Sequence, residues 1–158
     1  MDKNQAIITY LSSCPAIAKN PLFFNFAKAE DNNKQLVAVA TDKKVERPYI
    51  DGSVLKRFTF TIIDYRSVIY QAVVKGAGYP NENMEELLDI QSIINWIGEQ
   101  NDEGNFPDFG EDCIVDEISA LTDTPRLNSV DTSASPALAK YSVSIQILYL
   151  DRSKCIWK

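Results

Sequence analysis

One stretch, residues 81–110, limits what this chain can fold into. It carries the only long helical pattern in the sequence, and strand patterns lie on both sides of it. Met84, Leu87, Leu88, Ile90, Ile93, Ile94 and Ile97 recur at three- and four-residue spacing, which predicts one broad apolar face. Asn83 stands where an N-cap belongs, with Glu86 three residues on in a capping-box arrangement, and Gly104 is the natural stop. The expected helix, about 83–102, is a rod of roughly 30 Å at about 1.5 Å per residue, long enough to cover a sheet.

The flanking patterns supply that sheet. Residues 2–13 predict a short helix capped by Asp2, with Ala6, Ile7, Tyr10 and Leu11 on one face, ended by Cys14-Pro15. Residues 22–27 and 35–41 read as two strands paired back on each other around Asp31-Asn32-Asn33. Residues 44–50 lead into Asp51-Gly52, a dipeptide that favours positive φ in a tight turn, and residues 54–65 continue as a long strand. In that strand Val54, Phe58, Phe60 and Ile62 form the core side, with Lys56 as the exception near its start. Leu55, Arg57, Thr59, Thr61 and Ile63 point the other way. A further strand over 67–75, through Val68, Tyr70, Val73 and Val74, is cut short by Gly76, Gly78 and Pro80. After the helix, residues 113–121 read as a strand, 122–136 as a polar loop, and 139–150 as the longest strand. There Tyr141, Val143, Ile145, Ile147 and Tyr149 share a face. The reading is a single α+β domain over 1–158: a mostly antiparallel β-sheet covered by one long helix and a short N-terminal helix.

Composition narrows the function. With no histidine in 158 residues, Ser-His and Cys-His pairs and the commonest general base are absent. Asp51-Gly52-Ser53 lacks the surrounding glycines of a nucleophile elbow, and Gly76-Ala77-Gly78 lacks the third glycine of a dinucleotide fingerprint. Cys14, Cys113 and Cys155 form no CxxC pair, so they predict reduced thiols rather than a zinc or disulfide framework. The run from Glu99 to Glu117 holds eight carboxylates and no lysine or arginine. As a calcium loop it puts Gly110 where the bidentate glutamate belongs, so a solvated acidic face is the expectation. No catalytic, cofactor or metal site is expected. A net charge of −6 argues against nucleic-acid binding as the main task. The sequence has no signal-peptide pattern and no apolar run near eighteen residues, which predicts a protein made in the cytosol. Phe106 and Phe109, in a polar loop around Pro107, are costly unless the sheet or a neighbouring subunit covers them.

Four segments, in this order and spacing, resemble one family. They are Tyr49-Ile50-Asp51-Gly52-Ser53; Phe58-Thr59-Phe60; Trp96 to Asn101 with Asn105-Phe106-Pro107; and the strand from Tyr141 to Leu150. Over roughly residues 7–150 the chain resembles the small tail-completion (minor capsid) proteins of bacteriophages from Gram-positive hosts, which are similar to tail terminators. The resemblance implies a mixed α+β fold and a structural role: a ring, commonly of six, capping the head-proximal end of a tail tube in a phage or a headless tailocin. The implied partners are further copies of the chain, the tail tube protein, a sheath protein if the tail contracts, and the head-tail connector. DNA would pass the lumen without specific binding. The implied location is the virion, after assembly in the bacterial host cytoplasm. Because a closed ring needs two different patches on each subunit, the candidate subunit contacts are Tyr49, Asp51 and Gly52 at the hairpin, and Glu99, Asn101, Phe106, Pro107 and Phe109 after the helix. The polar loops 28–34 and 122–136 are candidates for docking tube or connector. The alternatives are a head-side completion or connector protein, a cytosolic binding module with a ligand between sheet and helix, and, more distantly, an enzyme using carboxylates alone.

Overall fold

The sheet is built around two fifteen-residue strands, β4 (Val54–Val68) and β7 (Ala137–Asp151), paired antiparallel over their whole length from Val54↔Asp151 to Val68↔Ala137. The computed structural model describes residues 2–19, 22–38, 45–70 and 82–157. Among these, α1 (Lys3–Leu11) and α2 (Pro15–Ala18) precede β1 (Leu22–Phe24), β2 (Lys34–Ala38) and β3 (Val45–Pro48). The long α3 (Glu82–Glu103), β5 (Cys113–Ala120) and β6 (Arg126–Asp131) lie between β4 and β7. The sheet order is β1-β2-β4-β7-β5, with β3 also on β4 and β6 also on β7. The fold is α+β and mostly antiparallel.

Period-two alternation decides which face is buried. Phe60 and Ile62 of β4 and Val143, Ile145 and Ile147 of β7 meet Ile90, Ile93 and Ile97 of α3, Ile118 of β5, and Ile7 and Leu11 of α1. Their other faces carry Thr59, Thr61, Ser142, Ser144 and Gln146, none of them buried. Thr61 and Ser144 hydroxyls bond across the strands at 2.9 Å. Among the described residues no helix covers that second face, so the sheet has one packed side and one open side.

Several expectations are corrected. β1 pairs with β2 in parallel, Leu22↔Lys34 through Phe24↔Leu36, and not as a hairpin. The chain leaves the sheet early because Asn25 adopts φ 59°, and Phe26 N–H donates to Phe24 O at 2.8 Å in a three-residue turn. Residues 26–33 then run back, and the Asp31-Asn32-Asn33 cluster docks on β4 instead of reversing the chain. Asn32 N–H donates to Tyr65 O at 2.7 Å, and Asp31 accepts from Ser67 N at 2.7 Å.

Asn83 does not cap α3. It lies inside the first turn, and its amide latches Ile69 in both directions, at 3.0 and 2.7 Å. Glu86 makes no capping box, because it accepts from Arg66 instead. The apolar face is narrower than its periodicity implies: Leu88 and Met84 stay exposed, and Gln100 takes a buried place on the helix. Gly104 does stop the helix, at φ +69°. Asn105 N–H donates to Gln100 O and Gly104 N–H to Asn101 O, the two bonds of a Schellman turn. The loop expected over 122–136 contains β6, paired with β7 from Arg126↔Ser142 to Asp131↔Leu138. Of the strand expected over 67–75, Ser67 and Val68 are the end of β4 and residues 69–70 are not strand; residues 71–81, with Val73, Val74 and the glycines, lie outside the described residues, as do 39–44.

The buried aromatics make one prediction. Burial pushes the Tyr149 phenol up to about 12, with the Cys113 and Asp151 charges adding to it, and burial raises Tyr10 and Tyr141 as well. A phenol raised above its unfolded value near 10 holds its proton in the folded state. Its contribution is therefore complete below pH 10 and lost as pH rises through about 12. Thermal melts from pH 8 to 12 should show Tm falling above pH 10, with a shallower fall in Tyr149→Phe. Parallel profiles for the two proteins would refute the assignment.

Candidate subunit interface

The turn between β3 and β4 is a three-residue loop. Tyr49 N–H donates to Ser53 O at 2.9 Å and Gly52 N–H to Tyr49 O at 3.1 Å, with Gly52 at φ +88°. The Asp51 carboxylate fastens it, accepting from the Ser53 amide at 2.9 Å and the Ser53 hydroxyl at 2.6 Å. These bonds hold the Asp51 pKa below the usual aspartate range.

A second segment, residues 152–157, folds onto this turn. Arg152 N–H donates to Asp112 O at 2.7 Å and Ile156 N–H to Asp51 O at 2.8 Å, and the buried Cys155 thiol leans on Asp51 at 3.4 Å. The approach is close enough that a Cβ on Gly52 would sit 2.3 Å from the Lys154 carbonyl oxygen. Lys56 of β4 and Asp151 of β7 close the same end of the sheet with a 2.6 Å ion pair.

What this junction presents outward is apolar. Leu55 and Leu150 are register partners on the open side of the sheet, and Ile114 pairs with Leu150 from the other strand. With Tyr49, Ile50 and Trp157 they line an open groove of about 580 Å³. Ile50 is 98% exposed and Trp157 69%, values that a monomer's isolated surface residues do not require and that a clustered contact surface does.

Of the residues singled out from sequence, Tyr49 and Asp51 line this groove, and Gly52 sits in the turn that carries them. Those after the helix do not join them. Phe109 and Pro107 are buried within the chain, Phe109 edge-to-face on Tyr149 at 5.3 Å and on Phe58 at 5.8 Å. These contacts lie on the packed side of the sheet, with the sheet between them and the groove. Phe106 is half-buried beside Tyr10, whose hydroxyl donates to Asn105 O at 2.9 Å. Asn101 accepts from Ile118 N–H at 3.0 Å, covering a free amide at the β5 edge. Within the chain the sheet and α1 pack against this loop, which gives Asn101, Phe106, Pro107 and Phe109 partners of their own. Glu99 alone is exposed, on α3. Among the described residues no three carboxylates or thiols of the acidic run converge on a metal-sized site.

Ile50 lies within the Tyr49-to-Ser53 hairpin that the sequence singled out, but sequence reasoning passed over Leu55, Ile114, Leu150 and Trp157. The signal was available in part: Leu148 and Leu150 break the polar alternation of β7, and Leu55 does the same in β4. It also passed over a buried charged cluster at the opposite end of β4. Arg66 binds Asp64 through two bonds at 2.9 and 3.0 Å, and it reaches Glu86 at 2.9 Å and Asp89 at 2.6 Å on α3. Lys34 lies fully buried 3.6 Å from Asp64.

No protein-family model matches this chain, and comparison with curated proteins gives no match. No helix among the described residues is long and apolar enough to cross a membrane.

Proposed function

We propose that this chain is a structural subunit that forms a ring, of about six copies by its family resemblance, at the head-proximal end of a phage or phage-tail-like tube. There it ends tube polymerisation and offers the docking surface for the head or neck. The observation that carries the reading is the coincidence of motif and surface. The Tyr49-to-Ser53 segment, which bears the resemblance to tail-completion proteins, is the turn around which the exposed apolar groove is built. The α+β architecture suits that family.

The partners on this reading are other copies of the chain, the tube protein, a sheath protein in a contractile tail, and the connector. The net charge of −6 suits a lumen through which a duplex slides without adhering. A binding module with its ligand between helix and sheet is disfavoured, because Ile90, Ile93 and Ile97 fill that layer at 0% exposure.

The test is location and stoichiometry. Purified protein mixed with tail tubes should decorate one tube end as a ring in electron micrographs and stop further tube growth. A protein that stays off tube ends and leaves their length unchanged would refute the role.

A further inference from the structure

The outer edges of the sheet differ in how well they are closed. Among the described residues β1 is three residues long and β3 ends in Pro48, while β5 carries Asp116 and Glu117 and has its Ile118 amide covered by Asn101. Each of these features discourages a further strand. β6 has none of them. All six of its residues are exposed, its one strand partner is β7, and among the described residues no hydrogen bond fills its outward amides and carbonyls.

The register of β6 shows what would fit that edge. With Asn128 as the bulge, it offers five ladder positions: Arg126, Leu127, Ser129, Val130 and Asp131. Residues paired across strands share a face. Leu127 and Val130 therefore stand with Tyr141 and Ala139 on the packed side, and Arg126, Ser129 and Asp131 with Ser142, Lys140 and Leu138 on the other. This order is self-complementary in reverse. Laid antiparallel on a second β6 about a two-fold axis at Ser129, Arg126 meets Asp131 and Leu127 meets Val130, each pair on one face and each occurring twice. A parallel partner in register would set Arg126 against Arg126.

We propose that two copies of this chain pair through β6, antiparallel and in that register, so that one sheet runs across both. Both charges are available for it. Arg126 makes no ion pair among the described residues. The Ser133 amide and hydroxyl donate to Asp131 Oδ1 at 3.0 and 2.6 Å, which fixes the carboxylate at the strand end and leaves Oδ2 for a partner. The apolar positions extend the contact. Leu127 and Val130 border a groove of about 380 Å³ together with Ile69 and the fully exposed Tyr70, and the two-fold sets both grooves on the same face of the joined sheet. The pair also leaves the candidate ring surface free. Leu150 of that surface lies eight residues along β7 from Ser142, roughly 25 Å away at about 3.3 Å per residue. A two-fold contact closes at two copies and builds no ring, so it goes beyond the ring reading and does not depend on it.

The experiment uses the full chain and the charge reversals Arg126→Asp and Asp131→Arg. Wild-type protein is expected to dimerise in sedimentation velocity and native mass spectrometry. Each reversal alone should raise the dissociation constant at least about tenfold, because like charges then meet twice across the axis. Mixed together, the two variants should recover a 1:1 dimer, since the acidic strand of one lies against the basic strand of the other. Ser129→Cys, an exposed change at the axis, supplies a readout that does not depend on the Asp131 turn. Under mild oxidation it should cross-link to a dimer that the wild type, with its own three cysteines, does not form. A wild-type chain monomeric at several hundred micromolar, reversals that leave association unchanged, or a Ser129→Cys protein that cross-links no more than the wild type each overturn the pair. A closed ring that neither reversal alters also overturns it while leaving the ring reading intact. Failure to decorate tube ends, with dimers and cross-links as expected, overturns the ring reading and leaves the pair standing.

Discussion

Replacing Arg66 with alanine is expected to lower unfolding stability by about 3–5 kcal/mol, the usual cost of removing one partner from a buried ion pair. Arg66 is 2% exposed and joins two layers: its guanidinium holds Asp64 on its own strand and Glu86 and Asp89 on α3. Burial alone would lower its pKa, but the Asp64 bonds and charge, with those from Asp89 and Glu86, more than offset this and raise it. Without the guanidinium, the Asp64 carboxylate keeps, among the described residues, only the Lys34 ammonium at 3.6 Å, outside hydrogen-bond range, in a site of 1% exposure. Lys34 should behave in the opposite way. Its ammonium is buried with no hydrogen-bond partner among the described residues, and burial lowers its pKa despite the Asp64 charge. Lys34→Met removes a desolvated charge and keeps the volume, so stability should change by less than about 1 kcal/mol or rise. Urea unfolding of both variants with a shared m-value decides the matter. Equal losses in the two would mean that the cluster acts as one indivisible network and that this ranking is wrong.

The cluster also marks where the sequence could be read and where it could not. Alternation in β4 and β7 identifies the packed face because Phe58, Phe60 and Ile62, and Tyr141, Val143, Ile145, Ile147 and Tyr149, place a large hydrophobe at every second position through the middle of each strand, and the layers follow from that. Strand direction at β1 was not legible. It depends on one left-handed residue, Asn25, in a stretch whose Asp-Asn-Asn run is the stronger turn signal by composition. β6 was hidden for a related reason. Arg126 to Asp131 is exposed on both faces, so no hydrophobic period distinguishes it from a loop. The helix register was half legible. A periodic stripe cannot reveal that Glu86 and Asp89, in the second turn of α3, are committed to salt bridges with Arg66, beside which Leu88 and Met84 stay exposed. At the candidate interface the turn could be read from Asp51-Gly52. The groove could not, because Leu55, Ile114, Leu150 and Trp157 converge only through strand register and the fold-back of residues 152–157.

That fold-back sets the second large effect, at Gly52. An alanine there meets two penalties at once: a φ of +88°, which side-chain-bearing residues rarely adopt, and a Cβ 2.3 Å from the Lys154 carbonyl oxygen. The obstructing atom is backbone, so the turn or the 152–157 segment has to move. Gly52→Ala should therefore cost about 1–3 kcal/mol in stability. It should also release the Ile156–Asp51 bond and shift Trp157 fluorescence, read in a Trp96→Phe background. Gly98 provides the control. It lies inside α3 with nothing within 4 Å of an added Cβ, so Gly98→Ala should instead stabilise by about 0.5–1 kcal/mol through helix propensity. If the turn and the closing segment together build the ring contact, Gly52→Ala should also lose association beyond the β6-paired dimer at temperatures where it remains folded, and Gly98→Ala should keep it. A Gly52→Ala protein that associates like the wild type would place the contact away from this junction, whatever its stability.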